Sequence, residues 1–446
     1  MSETKIIVLD DDPTGSQTVH GCLLLTRWDV ATLREAILDD SPLFFVLTNT
    51  RGMDAAAAAN LTGAVCRNLK RALAELAAEG RTINPILVSR SDSTLRGHYP
   101  VETDVIAAEL GPFDAHFLVP AFFEAGRITR DSVHYLVQGG RPVPVHETEF
   151  ARDSVFAYRH SYLPDYVAEK TKGRIPAEQV ERFLLSDVRG DSLERLLGLS
   201  GNACCVVDAE RQEDLDNFCR QLQAAAAQGK RFLFRSAASL LTSLAALPPQ
   251  PVQPAQMSAY VRGGRAGAVI VGSHVRKSTD QLHQLLREPG VEPLEVDVQR
   301  LETEADTMLA EILRRAERAH AGGRTPVVYT SRVERQFDDP QSRLAFGGLV
   351  SSFLMEVVQG LPRTIGFLIS KGGITSNDVL STGLALRRSR VLGQILPGCS
   401  VVRCPADHPR FPNLPVVIFP GNVGDEESLA LAYRRLRAPL PAAAAH

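Results

Sequence analysis

The sequence lacks the features that would place it in a specialised class. Its seven cysteines contain no CxxC pair, which argues against a disulfide framework and for reduced, buried thiols of a cytosolic protein. No apolar run approaches the ~18 residues of a membrane span. The start, Met1-Ser-Glu-Thr-Lys, lacks the basic residues and long apolar segment of a signal peptide, so a cytoplasmic location is expected. Neither sign of charge dominates: 49 basic against 52 acidic side chains leave a formal net charge of −3. That balance provides no global basic field for nucleic acid or an anionic membrane. A local anion site for a small molecule remains open.

What is present is ordinary globular material, 44% hydrophobic and 23% charged over 446 residues, enough for two or three domains of ~150 residues. Short apolar runs alternate with longer helical patterns, the signature of βαβ units around a largely parallel sheet. Strands are predicted at 6–9, 44–47, 86–88, 117–119, 205–207 and 232–234, and a long helix at 55–79, where Leu61, Val65, Leu69, Leu73 and Leu76 recur at three- and four-residue spacing. The stretch Pro248-Pro249-Gln-Pro251-Val-Gln-Pro254 can neither continue a helix nor sit in a central strand. The alternation then restarts, with strands at 268–271, 327–329, 365–369, 401–402 and 416–419, and helices at 278–287, 305–319, 347–359, 377–386 and 426–436. The expected organisation is therefore two α/β domains with largely parallel sheets, at 1–247 and 263–446, joined by a linker at 248–262.

In such folds the residues just beyond the carboxyl ends of strands carry the chemistry. After the first strand stands Asp10-Asp11-Asp12-Pro13-Thr14-Gly15-Ser16. Packed carboxylates repel unless a cation, a donor cluster or a substrate offsets the repulsion. Such acids can orient a polyol hydroxyl, take its proton or help hold Mg²⁺, although a solvated turn is the plainer alternative. After the third strand comes Ser89-Arg90-Ser91-Asp92-Ser93-Thr94-Leu95-Arg96-Gly97-His98. Guanidinium forks suit a carboxylate or phosphate, and serine and aspartate suit hydroxyls, so this block describes a pocket for a small polyhydroxy acid. The segment 120–129, with Arg127, follows the fourth strand and reads as a loop near the substrate.

In the second half, Gly272-Ser273, Gly372-Gly373-Ile374-Thr375-Ser376 and Gly421-Asn422-Val423-Gly424 each join a strand to a helix. Glycines let backbone N–H groups approach an anion, and a helix start adds its dipole. One such turn is common in inert scaffolds, whereas three in one domain, with Lys371 adjacent, favour a nucleotide. The common fingerprints are missing: no Walker A loop, no GxGxxG opening a helix after a strand, no protein-kinase HRD or DFG, and no HExxH or paired Cys/His spacing for zinc.

In order and spacing, these blocks resemble the four-carbon acid sugar kinase family along nearly the whole chain. Asp11-Asp12-Pro13-Thr14-Gly15 is similar to its DDxTG signature and Asp92-Ser93-Thr94-Leu95-Arg96-Gly97 to its DSTLRG motif. The Gly-Ser, Gly-Gly-x-Thr-Ser and Gly-Asn-x-Gly-Asp blocks resemble its nucleotide domain. The resemblance implies an acid-sugar-binding domain, an ATP-binding domain, reaction in the cleft between them, and ATP and Mg²⁺ as cofactors. It implies phosphorylation of a four- or five-carbon sugar acid or its 3-oxo derivative. Asp12 or Asp11 would act on the hydroxyl, with Asp11, Arg90, Asp92, Ser93, Arg96 and Arg127 binding substrate. Ser273, Gly372, Gly373, Thr375, Gly421, Asn422 and Gly424 would cradle the nucleotide. Enzymes of this size are often homodimers, though no motif encodes the assembly. Two other readings compete: an NAD-dependent hydroxyacid dehydrogenase, disfavoured by the missing dinucleotide fingerprint, and a non-catalytic sugar-acid-binding protein, which leaves the glycine loops unexplained.

Overall fold

The computed structural model describes residues 3–273, 275–332, 339–421 and 423–437. The chain divides into two compact units, residues 1–248 and 249–446. The first contains strands β1 (Glu3–Asp10), β2 (Leu23–Leu25), β3 (Leu43–Leu47), β4 (Ile83–Arg90), β5 (Ala115–Val119), β6 (Arg127–Arg130), β7 (Val133–Gln138), β8 (Arg141–Pro144), β9 (Glu181–Phe183), β10 (Ala203–Val207) and β11 (Phe232–Ser236). Its main sheet runs β2-β3-β1-β4-β11-β5-β10-β9, and every neighbouring pair is parallel. Strands covered on both faces read as continuous apolar runs rather than alternating ones. Accordingly Ile6 to Leu9 of β1 and Leu43 to Leu47 of β3 are all buried.

Helix α1 (Val30–Ile37) and helix α2 (Ala55–Ala78) begin at Asp29 and Asp54, whose side chains accept from Thr32 N and Ala57 N and so satisfy amide groups left bare at a helix start. Along α2, Val65, Leu69, Ala72 and Leu76 form the buried stripe. They pack with Ile7, Phe44, Val46, Leu87 and Leu233 into one core, each large side chain contributing about 1.5–3 kcal/mol. After β1 the chain moves to β3 on one side and then to β4 on the other. The carboxyl end of β1 is therefore a topological switch point, where such sheets open a crevice.

Strands β6, β7 and β8 form a separate antiparallel meander, so Arg127 lies on a strand edge rather than in the loop that the sequence suggested. The meander is tied to the crevice by His134. Its Nε2 donates to the Ser93 carbonyl at 2.8 Å and its Nδ1 accepts from the Thr129 hydroxyl at 2.9 Å. Burial pushes this imidazole down to about 4, which keeps it neutral and fixes its tautomer.

The second unit contains β12 (Ala268–Val271), β13 (Val291–Val296), β14 (Thr325–Thr330), β15 (Leu368–Lys371), β16 (Arg388–Leu396), β17 (Cys399–Arg403) and β18 (Pro415–Phe419), in the order β13-β14-β12-β15-β18-β17-β16. Pairing is parallel from β13 to β18 and antiparallel around β17. Within the proline-rich stretch, Pro254–Tyr260 form a 3-10 helix whose Met257 is buried in this unit's core. The expected helix at 377–386 is instead a short α-helix, Gly373–Asp378, continued by a π turn to Gly383. All seven cysteines are buried, and none of them forms a disulfide. Among the described residues, no helix is long and apolar enough to cross a membrane.

Candidate active site

Three carboxylates follow the central strand of the first unit, and each meets a different environment. Asp10 is fully buried beside Arg90, whose Nη1 lies 3.6 Å from Oδ1. Burial pushes its carboxyl up to about 8 against the pull of Arg90. The turn after it folds back so tightly that a Cβ on Gly15 would sit 1.8 Å from Asp10 Oδ2; only glycine leaves room. Asp11 is also buried, and burial moves it upward despite Arg51. The Asp12 side chain is 20% exposed. Burial alone would raise it, but Arg51, Arg90 and the bonds from Thr14 outweigh that effect and hold its carboxyl below the usual range. One carboxylate is thus ionised and reachable, while its two neighbours are sealed.

Arg51 does most to offset this charge. It stands in the single 3-10 turn Thr50–Gly52 after β3. Its Nη2 and Nε donate to the two oxygens of Asp11 at 2.5 and 3.2 Å, and its Nη1 donates to Asp12 at 3.2 Å. The turn is fixed from below. The Thr50 hydroxyl donates to Glu102 at 2.5 Å, and His98 Nε2 lies 3.1 and 3.0 Å from the carbonyls of Thr50 and Met53. Glu102 in turn accepts from the buried Arg235 at 2.5 Å. Arg51, Glu102 and Arg235 escape the motif reading, because each stands alone among apolar or small neighbours. The signal that finds two of them is position: Arg51 and Arg235 lie just beyond, or at, strand ends.

The loop after β4 is internally bonded. Asp92 accepts from Arg96 Nε at 2.7 Å and from the Thr94 hydroxyl, and Arg51 and Arg96 hold its carboxyl far below the usual range against the upward push of burial. Arg96 also faces Asp153 at 3.5 Å and lies over the Phe150 ring. Gly97 adopts φ +122°, and a Cβ there would lie 2.7 Å from Arg235 Nη2 and 3.1 Å from Asp11 Oδ2. Ser93 is buried, and Arg127 is half-buried with its Nε lacking a partner. The expected catalytic residues Asp11 and Asp12 and the expected substrate residues Arg90, Asp92 and Arg96 therefore converge at the switch point.

In the second unit the three glycine turns follow β12, β15 and β18, which are adjacent strands. The turns nearly touch. A Cβ on Gly272 would sit 2.3 Å from the Thr375 hydroxyl, one on Gly372 3.3 Å from Ser273 Cβ, and one on Gly421 4.0 Å from Ser273 Oγ. Gly372 and Gly424 have φ of +118° and +78°, so both require glycine. Gly373 opens the short helix that also carries Thr375. Asn422, expected here too, lies outside the described residues. Lys371 does not face the turns as a phosphate partner would. It is fully buried, with Nζ donating to the carbonyls of Pro420 and Gly421 at 2.6 and 3.0 Å, and burial pushes it down to about 7. The basic residues that are exposed here, Arg276 and Lys277, start the ten-residue helix after Ser273.

A sugar-binding N-terminal domain matches residues 6–244 and a nucleotide-binding C-terminal domain matches residues 268–429. A D-erythronate kinase of Heliobacterium modesticaldum is 28% identical over 220 residues, 48% of this chain and 47% of the relative. A D-threonate kinase of Bordetella bronchiseptica is 27% identical over 223 residues, 45% and 52%. The chain spans about half the length of these curated relatives. Solved structures from Haemophilus influenzae (TM-score 0.65, 16% identity, 96% of this chain and 100% of that one) and Salmonella typhimurium LT2 (0.68, 18%, 98% and 100%) share the fold. With both halves matched in order and the first match alone covering more than half of the residues, the chain belongs to the four-carbon acid sugar kinase family.

Proposed function

We propose that the chain is an ATP-dependent kinase that phosphorylates a hydroxyl of a small four- or five-carbon sugar acid or its 3-oxo derivative. The observation that carries this reading is the cluster at the end of β1. One ionised, reachable carboxylate, Asp12, is held by Arg51 beside two sealed ones, in the unit that matches a sugar-binding domain. The adjacent glycine turns of the other unit, which matches a nucleotide-binding domain, support the triphosphate donor.

Phosphoryl transfer through a loose transition state needs alignment and charge neutralisation more than a strong base. A depressed Asp12 carboxyl suits that role: it is ionised at neutral pH and accepts the proton of the attacking hydroxyl. Asp92 and Ser93 bind the remaining hydroxyls, Asp11 anchors the Arg51 that holds Asp12, and Arg90, Arg96 and Arg127 supply the positive field that an acid requires. Ser273, Gly372, Gly373, Thr375, Gly421 and Gly424 offer backbone and hydroxyl donors to phosphate oxygens. Mg²⁺ would enter with the triphosphate, whose oxygens supply most of its ligands. Among the described residues, no group of three or more His, Cys, Asp or Glu forms a cage for it.

The test is a panel of four- and five-carbon aldonates and 3-oxo acids with ATP and Mg²⁺, read by ADP release. At least one acid should give turnover that Asp12→Asn lowers about a hundredfold or more. A panel without any acid-dependent ADP release ends the proposal.

A further inference from the structure

At the carboxyl end of β11, Arg235 and Ser236 are 6% and 2% exposed. Each keeps one polar atom without a hydrogen-bond partner, Nη2 of Arg235 and the hydroxyl of Ser236. On the neighbouring strand Arg90, which pairs with Ser236 in the β4–β11 register, leaves Nε and Nη1 without a hydrogen bond. Buried donors are almost always paired. Arg235 and Ser236, two such residues at one strand end, therefore mark a place where something binds, while the Nη1 of Arg90 already faces Asp10 at 3.6 Å.

Arg235 and Ser236 line one pocket, together with Ser91, Asp92, Tyr166 and Leu118. The pocket adjoins the acid cluster through Gly97, whose missing side chain would meet Arg235 Nη2, Asp11 Oδ2 and Ser91 Oγ at once. Its walls differ in chemistry: bare donors stand on β11, and the acceptor-only carboxylate of Asp92 stands on the loop. Arg96 is a poorer seat for an incoming carboxylate, because Asp92 and Asp153 already occupy it.

We propose that Arg235 and Ser236 receive the carboxylate of the substrate while Asp92 accepts from the hydroxyl next to it. The ligand class is a 2-hydroxy acid, seated carboxylate first, with its far hydroxyl left for Asp12. This rests on the sugar-acid kinase reading and fixes which end of the acid goes where. On this view Arg96 is a positioning residue that holds Asp92 in place.

Titration calorimetry on the full chain, without nucleotide, tests the seat. D-erythronate and D-threonate are compared with erythritol and threitol, which keep the hydroxyls and lack the charge. Ser236→Ala should weaken binding of the acids about tenfold and leave the polyols unchanged. Arg235→Gln should weaken the acids about a hundredfold. Because Arg235 also pairs with Glu102, its variant risks misfolding, and Ser236→Ala carries the test if it does. Arg96→Ala should weaken acids and polyols alike. Acid binding by Ser236→Ala within twofold of wild type, or an equal loss for acids and polyols, overturns the proposed seat. A wild-type protein that binds neither these acids nor any other acid of the kinase panel overturns the kinase reading itself.

Discussion

Arg51 grips Asp11 with two nitrogens, Nη2 at 2.5 Å from Oδ1 and Nε at 3.2 Å from Oδ2, and its remaining nitrogen reaches Asp12 at 3.2 Å. One guanidinium thus sets the position and the charge of two successive carboxylates. Removing it leaves a buried negative charge uncompensated, which typically costs about 3–5 kcal/mol. Arg51→Ala should therefore lower stability by about that amount. It should also raise the Asp12 carboxyl, which Arg51 now holds down, so the acidic limb of the pH–rate profile should move to higher pH. Arg51→Lys should recover part of both effects. The checks are urea unfolding and turnover across pH 4–8, and an unmoved acidic limb would show that Arg51 only supports the fold.

Gly97 carries two separate constraints, a φ of +122° and a Cβ path that ends 2.7 Å from Arg235 Nη2. Gly21 has only the first, with φ +73° and nothing within 4 Å. Gly21→Ala should cost about 1 kcal/mol from backbone strain alone. Gly97→Ala should cost more, up to about 3 kcal/mol, and should raise the KM for the sugar acid, which Gly21→Ala should leave alone. Thermal unfolding and acid-dependent kinetics of the two variants separate strain from site geometry.

Asp10 ties stability to pH in a direction opposite to that of most carboxylates. Burial, opposed by Arg90, lifts its folded value to about 8, well above the ordinary unfolded value. Its contribution is complete below that ordinary value and is lost as pH rises through about 8, because the unfolded chain gives up a proton that the native one keeps. Asp10→Asn cannot ionise. It should match wild type near pH 4 and exceed it by a few kcal/mol at pH 9, as measured by urea unfolding at several pH values. Equal gaps at both ends of that range would assign the effect to packing rather than to the proton.

Most of the parallel strands were legible because they are apolar runs buried on both faces, and predicted strands 6–9, 44–47, 86–88 and 117–119 fall within β1, β3, β4 and β5. The meander of β6, β7 and β8 was not legible. Its strands are half-exposed, rich in arginine and broken by prolines, so the segment reads as loop. Strand β13, with its exposed glutamates and proline, hides for the same reason. The candidate site was legible where acids or glycines cluster in the sequence. It was not legible where partners arrive singly from elements distant in the sequence, as Arg51 of a turn, Glu102 of a helix and Arg235 of a strand do. Lys371 shows the opposite error: a lysine beside a glycine turn suggests a phosphate ligand, yet the strand's pleat turns it into the core.

That inward turn makes a last prediction. Lys371 Nζ bonds the carbonyls of Pro420 and Gly421, so it braces the third glycine turn from behind. Lys371→Met keeps an unbranched apolar side chain in the core and removes the Nζ, which donates to the two carbonyls and lies 4.6 Å from the centre of the Phe419 ring. The Pro420 carbonyl then loses its Lys371 donor and that of Gly421 keeps the Ser278 hydroxyl at 3.4 Å, a loss of about 1–3 kcal/mol for an unpaired buried group, and the turn loosens. The KM for ATP should rise about tenfold while affinity for the sugar acid stays unchanged, since every residue proposed to bind the acid lies in the other unit. A lysine that touched phosphate directly would also lower kcat, because its charge would be missing when charge develops on the transferred group. Steady-state kinetics varying ATP and acid in turn distinguish the two: a KM effect with kcat intact fits a brace, and a fall in kcat larger than the change in KM would return Lys371 to the phosphates.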